Sequence, residues 1–360
     1  MSGARSFTID AEDDGIRLDR WFKRHLADVS FNTVSRLCKT GAIKLDARKT
    51  DPSERIAGGQ TLTVPPADTL PAPDMPGEAP RRPLSAAEID YAQSLVIHRD
   101  KSAIVLNKPA GLATQGGTNT LTHVDGLLDA LSFGFPQRPK LVHRLDKDTS
   151  GVLLLARTAK SAAFFSKAFA DRTARKVYWA LVVGAPEPAE GEIVAALAKQ
   201  PGSGGEKMHV DPETGQNART RYRTLDHAAT QAAWLEFQPL TGRTHQIRVH
   251  ATAIGHPIVG DAKYGGKDAF LTGGISRKMH LHARRLLIDH PDGVPLDVVA
   301  DLPNHMADSF KMLGFEVADG NIPLDELRYK DTVEGKAKLE SAAAKQRRLA
   351  RRGERRSRGG

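Results

Sequence analysis

Seven prolines fall in nineteen residues between Pro65 and Pro83, and this stretch constrains the fold more than any other. Proline locks φ and has no N–H to donate, so neither a helix nor a central strand can run through it. With no apolar periodicity it reads as a semi-extended linker. It separates a small N-terminal unit, expected over 13–66, from a large one expected over 84–329, with the linker proper at 67–83 and a basic segment at 330–360. At 360 residues and 40% hydrophobic content the chain can give each unit its own core. No internal repeat is evident.

In the small unit Leu18, Trp21, Phe22, Leu26 and Val29 recur at helical spacing. Val34, Leu37 and Cys38 do so again behind Ser30, a candidate N-cap, and Gly41 closes this second helix. Beyond it Ile43 and Leu45 alternate with polar residues, and Thr61 to Val64 is strand-like after Gly58 and Gly59. The expected order is helix, helix, then a short curled sheet. Arg17, Arg20, Lys23, Arg24, Arg36, Lys39 and Lys44 occupy its polar positions. A solvated basic face is the plain reading, but this density favours a surface that meets phosphates. The stretches GIRLDRWFKRHL and SFNTVSRLCKTGAIKLD resemble the alpha-L RNA-binding module named after a small-subunit ribosomal protein, which implies an RNA contact through Arg17, Arg20, Arg36 and Lys39.

The large unit lacks the regular strand and helix alternation of a doubly wound fold. Short apolar or alternating runs at Ile104 to Leu106, Val152 to Ala156, Val177 to Val183, Thr220 to Thr224 and Ala233 to Phe237 predict strands. Helices are expected at Ser161 to Ala170, behind Thr158, and at His245 to Ile254, behind Thr244 and ended by Gly255. The fold class is therefore α+β, with a mainly antiparallel sheet. The single cysteine, Cys38, sits at an apolar-periodic position and reads as a core thiol, which excludes a disulfide framework and a thiolate metal cluster. Neither a signal-length apolar stretch at the N-terminus nor a membrane-spanning run is present, so the expected address is the cytoplasm, with no membrane partner. Net charge is +9. Lys345 to Arg358 carries eight Lys or Arg against Glu354, leaving +2 for the rest. A solubilising terminus and an RNA-contacting tail both fit that run.

HRLDKDTSG, residues 143–151, sets the acid Asp146 among His143, Arg144 and Lys147 at the entrance to a buried strand. Nearby positive charge favours the ionised form of a carboxylate, which can then act as nucleophile or base. A salt-bridged surface Asp is the alternative. Three further segments bear on the choice. KPAGLATQGG follows a strand with a Pro and three glycines and could approach a ligand closely, with Lys108 at its head, although no GK[ST] makes it a nucleotide loop. KVYWALVVG places Tyr178 on an alternating strand, where a core role is equally open. TGRTHQIRVH predicts a helix with Ile247, Ala251 and Ile254 on a buried face and His245, Arg248 and Thr252 on the other, so Arg248 would project towards an anion.

Together HRLDKDTSG, NKPAGL, KVYWALV, TGRTHQIRVH and LHARRL resemble the RluA family of RNA pseudouridine synthases across roughly residues 84–315, and within it the type C members that act on large-subunit ribosomal RNA. The resemblance implies that uridine is isomerised in place, its base detached from ribose at nitrogen and rejoined at C5, with no cofactor and no metal. It makes Asp146 the catalytic aspartate, Tyr178 the residue packing on the target ring and a candidate base for the C5 proton, and Arg248 the partner of Asp146. Arg144 would fill the space left by the flipped uridine, with His143, Lys108, Arg243, His245 and Ile247 also on the substrate side. The partner is ribosomal RNA, and the chain is expected to act as a monomer. His245, His250, His256, His280 and His282 lack carboxylates or thiolates at ligand spacing, so packed or RNA-facing roles are expected rather than metal binding.

Other readings remain. Transfer RNA would use the same chemistry. A non-catalytic ribosome-assembly factor has no evident use for a carboxylate facing phosphates. A hydrolytic glycosidase usually needs two carboxylates, and these motifs place one.

Overall fold

The computed structural model describes residues 4–26, 29–66, 82–116, 122–200 and 207–321. Most of the proline-rich linker and the whole basic tail at 330–360 lie outside them. The chain divides into two compact units, Met1–Pro83 and Leu84–Gly360.

In the first unit β1 (Arg5–Thr8) is followed by α1 (Leu18–His25), α2 (Phe31–Thr40), β2 (Lys44–Leu45), β3 (Arg48–Lys49) and β4 (Thr61–Val64). Ser30 caps α2 by accepting the Thr33 N–H at 3.2 Å, and Gly41 ends it in the left-handed conformation, φ 74°. The strands form one antiparallel sheet in the order β1-β4-β2-β3. Because β1 pairs with β4 throughout, the unit begins before the expected residue 13. Leu18, Trp21 and Phe22 of α1 and Val34 and Cys38 of α2 pack onto Leu45, Leu62 and Val64 of the sheet. Each large apolar side chain buried this way contributes about 1.5–3 kcal/mol.

The second unit runs α3 (Ala86–Ser94), β5 (Val96–Arg99), β6 (Ala103–Lys108), α4 (Val124–Leu127), β7 (Lys140–Leu141), β8 (Ser150–Ala156), α5 (Ala159–Ala170), β9 (Arg175–Val183), β10 (Glu190–Val194), β11 (Leu197–Lys199), β12 (Met208–Val210), β13 (Arg219–Ala228), β14 (Ala232–Pro239), α6 (Gln246–Ala253), α7 (Ala262–Gly265), β15 (Leu281–Ile288), β16 (Leu296–Val299) and α8 (Asn304–Leu313). Ten strands make one sheet in the order β10-β13-β14-β9-β15-β8-β6-β5, with β16 beside β15 and β7 beside β8. Its described pairings are antiparallel except β15 with β8. The architecture is thus α+β with a mixed, mainly antiparallel sheet. β11 and β12 form a separate hairpin.

Strand β8, SGVLLLA, is buried at every position, as a central strand covered on both faces must be. Its Leu153 and Leu155 pack with Ile104, Leu106 and the α4 residue Leu127. On the opposite face Val152 and Leu154 meet Phe165 and Ala168 of α5. Helix α5 starts at Ala159, two residues before the expected Ser161 but directly behind the expected Thr158, because Thr158 and Ser161 form a reciprocal capping box. Further along the sheet Trp179 and Trp234 meet edge to face at 4.7 Å and pack with Phe310 of α8. Helix α6 departs from expectation. Gln246 through Ala251 are all buried, so the polar side chains of these residues are buried along with the apolar ones, and exposure returns only at Ala253.

Candidate active site

Asp146 lies in the turn between β7 and β8, and its neighbours hold that turn from below. Leu145 is buried among Leu106, Leu112, Val124 and Leu153. Its N–H donates to Thr114 Oγ1 at 3.1 Å, and the Thr114 hydroxyl donates back to its carbonyl at 2.7 Å. One residue past Asp146, the Lys147 carbonyl accepts the Gly111 N–H at 2.9 Å and the Lys108 ammonium at 3.0 Å. The loop after β6 therefore clasps the Asp146 turn rather than reaching for a ligand.

Lys108 supplies the clasp and is fully buried. Its Nζ also donates to the carbonyls of Pro109 and Leu112, at 3.0 and 2.7 Å. Burial draws its pKa down to about 7, against the pull of Asp148 and Asp146. This corrects the expectation that it meets RNA, since a side chain with no exposed surface cannot. His143 lines the cavity and is partly buried; its Nε2 accepts the Leu154 N–H at 2.8 Å, and its ring stacks on Phe169 at 4.4 Å. Burial, then Lys176, pushes its pKa to about 3, so it is also a neutral brace for the turn.

Gly151 explains the end of the motif. At φ 107° it lies opposite Ala283 of β15, and the two backbones approach too closely for a Cβ. Ser150 beside it bonds the buried His282 Nδ1 at 2.9 Å.

Asp146 faces a cavity of about 440 Å³, within the size range of small-molecule sites. Among the described residues, five Lys or Arg line it (Arg144, Arg172, Lys176, Arg243 and Arg248), with Asp146 as its one acid. Tyr178 of β9, between Phe237 of β14 and Ala283 of β15, and Ile247 of α6 supply apolar surface. Burial, then the Asp146 charge, pushes the Tyr178 phenol well above its ordinary pKa. Arg144 is exposed at the rim.

The start of α6 brings the remaining side chains in. Gln246 acts as a staple: its Oε1 accepts from the Thr241 hydroxyl at 2.7 Å and the Arg243 N–H at 3.0 Å, while its Nε2 donates to the Arg219 carbonyl at 2.9 Å and Thr220 Oγ1 at 2.8 Å. This fixes 241–246 against β13. Arg248 forms the expected ion pair with Asp146 only at long range, because Asp261 holds most of its guanidinium. Its Nε and Nη2 make a two-pronged bond to Asp261, at 2.8 and 2.7 Å, and Nη1 reaches Asp146 Oδ2 only at 4.0 Å. Burial works against its charge, but Asp261, with Asp146 and Tyr264 behind it, raises its pKa. His245 Nε2 stands 3.8 Å from the same oxygen. Asp146, 21% exposed, thus has a guanidinium and an imidazole nitrogen just beyond hydrogen-bond length.

The structure therefore brings Asp146, Tyr178, Arg248, Arg144, Arg243, His245 and Ile247 to one cavity. Arg17, Arg20, Arg36 and Lys39 are exposed on the first unit, with Arg17 bonded to Asp19 at 2.9 Å. His250 and His282 are buried and bonded to backbone or hydroxyl oxygens. Sequence reasoning passed over Arg172 and Lys176 on the cavity wall and Asp261 and Tyr264 behind Arg248 and His245. GDAKYGG held a signal for the last two: Asp261 caps α7 by accepting the Tyr264 N–H at 3.3 Å.

A family model described as RNA pseudouridylate synthase matches residues 102–253. A ribosomal large subunit pseudouridine synthase C of Rickettsia conorii is 34% identical over 276 residues, covering 76% of this chain and 88% of the relative. One of Vibrio vulnificus is 32% identical, covering 79% and 88%. Among solved structures, human RNA pseudouridylate synthase domain containing 4 matches with 29% identity and a TM-score of 0.55, covering 64% of this chain and 98% of that one. The chain belongs to the RluA-type family of RNA pseudouridine synthases.

Proposed function

We propose that the protein converts specific uridines of large-subunit ribosomal RNA to pseudouridine, using the Asp146 carboxylate and no cofactor. The observation that carries this reading is the single acid, sharing with Tyr178 a cavity in which five Lys or Arg line the wall. The relatives' action on large-subunit ribosomal RNA supports the substrate.

In the isomerisation the N1–C1′ bond breaks, a C5–C1′ bond forms, the C5 proton leaves to solvent and N1 takes up a proton. Asp146 opens the sequence as nucleophile, at the ribose or at the base. The cavity accepts a base only after it leaves the helical stack, and the exposed Arg144 at its rim takes the vacated space. Tyr178 packs against the ring. Burial first and the Asp146 charge second hold its phenol protonated in the free enzyme, so it can serve as base for the C5 proton only after passing its own proton on. Five exposed cations of the first unit, Arg20, Lys23, Arg36, Lys39 and Lys44, together with the basic tail, grip phosphates as an alpha-L type module would, giving affinity while local RNA shape gives selectivity.

Tritium release from ribosomal RNA transcripts labelled at uridine C5 tests the reading. The wild type should release label, and Asp146→Asn should bind RNA but release none. Release by Asp146→Asn at the wild-type rate would remove Asp146 from its role, and free uracil among the products would indicate hydrolysis.

A further inference from the structure

His245 is held in a way that neither helix capping nor core packing requires. Its φ is 53°, a left-handed conformation uncommon for a residue with a Cβ, and although it precedes α6 its side chain makes no capping bond. The ring spans two other groups. Nδ1 lies 2.6 Å from Tyr264 Oη, and Nε2 faces Asp146 Oδ2 at 3.8 Å. Backbone strain persists where the surroundings over-determine it, and it concentrates at functional sites.

Tyr264 is fixed from several sides. Its hydroxyl oxygen accepts the Met208 N–H of β12 at 3.0 Å, the Arg248 guanidinium sits over its ring at 5.0 Å, and the ring packs against Leu197, Met208, Ala218 and Val249. Burial raises its pKa, so the phenol keeps its proton. With the Met208 N–H already pointing at the oxygen, His245 Nδ1, 2.6 Å away, is the acceptor at hand for that proton. An imidazole that accepts at Nδ1 and is neutral carries its own proton on Nε2. Asp146, Arg248, Lys263 and Asp261 surround the ring, and burial, followed among the cations by Arg248 and Lys263, lowers its pKa against the two acids.

We propose that Tyr264 fixes His245 as its neutral Nε2–H tautomer, so that the His245 and Arg248 donors converge on Oδ2 of Asp146 and leave Oδ1 as the reacting oxygen. This rests on the reading of Asp146 as the nucleophile. A neutral second donor steadies the carboxylate without adding a second full positive charge beside Arg248, which would blunt the nucleophile. Catalytic hydrogen bonds are often long in free enzymes and tighten with substrate, so the 3.8 Å gap should close in the RNA complex. His245 and Tyr264 are positioning residues in this scheme.

Nitrogen-15 NMR of the full chain, labelled at histidine, reads the tautomer directly, with His245→Gln identifying the His245 signals. The wild type should show an acceptor Nδ1 and a protonated Nε2. Tyr264→Phe should move both signals towards a mixture of tautomers and lower kcat by about tenfold with KM unchanged, the equivalent of one hydrogen bond. His245→Gln, which keeps a neutral N–H donor, should retain more kcat than His245→Leu. A protonated Nδ1 in the wild type, or unchanged signals in Tyr264→Phe, would overturn the proposal. The expected tautomer in a chain that isomerises no uridine would support the relay and sink the proposed reaction instead.

Discussion

Replacing Gly151 with alanine tests how the Asp146 turn is anchored. Gly151, the second residue of β8, has φ 107°, and a Cβ built on it would overlap the Ala283 carbonyl oxygen and stand 2.7 Å from its carbonyl carbon. Carbon atoms meet at about 3.5–4.0 Å, so β15 would have to retreat by about 1 Å. Neighbouring side chains leave little room for that, since Ser150, Leu281 and Ala283 are all buried and interiors are close-packed. Overfilling such a site costs about 1–3 kcal/mol, and the left-handed backbone adds about 1–2 kcal/mol for an L residue. At about 2–4 °C per kcal/mol in a domain of this size, the melting temperature should fall by at least about 4 °C. Gly314→Ala is the matched control, because Gly314 has φ 78° with nothing within 4 Å of where the added methyl would stand, so only the backbone contribution applies. Thermal and urea melts of both variants, alongside tritium release, give the comparison. A Gly151→Ala protein that melts like the wild type, or no lower than Gly314→Ala, would refute the reasoning.

Asp261→Asn replaces the two-pronged carboxylate under Arg248 with an amide that accepts through one oxygen. Turnover should drop on the order of 10- to 100-fold, as expected when a positioned group shifts, with RNA affinity nearly kept; unchanged kcat would show that Arg248 does not depend on Asp261. Burial draws the pKa of His282 to about 4, below its unfolded value of about 6.5. The neutral ring therefore contributes full stability above about pH 6.5, and this is lost as pH falls towards about 4, by about 1.4 kcal/mol per pH unit. Urea melts of His282→Gln across that range should show a shallower decline, and an identical slope would mean that His282 does not titrate. Deleting 345–360 should weaken RNA binding and lower its salt dependence by about 0.7–0.9 logarithmic units per lost phosphate contact, an effect absent if the tail does not touch RNA.

Much of the sheet was legible because its strands carry unbroken apolar or alternating runs, as at Val152 to Ala156 and Val177 to Val183. Strand β15 was not, although it pairs with both β8 and β9 at the centre of the sheet. LHARRLLI hides its burial because His282 and Arg284 are polar, and both are accommodated by bonds to the Ala300 carbonyl. Helix α6 was legible in place but not in environment. A pattern of spaced apolar residues predicts one buried face, whereas Gln246, Arg248 and His250 are buried as well because each finds a designated partner in β13 or beside α7. The same cause separates the site residues that the sequence indicated from those it did not. Asp146 and Tyr178 stand out by type and position. The burial of Lys108 depends on three carbonyls from two loops, and the closer pairing of Arg248 with Asp261 than with Asp146 depends on how α7 packs. Neither relation has a local sequence signature.

The central claim is tested most directly by mapping pseudouridines, by carbodiimide labelling and primer extension, in total RNA from cells with and without this gene. The account predicts that specific large-subunit sites disappear with the gene and return with the wild type but not with Asp146→Asn. Loss confined to transfer RNA would contradict the substrate, and a map that does not change would contradict the reaction.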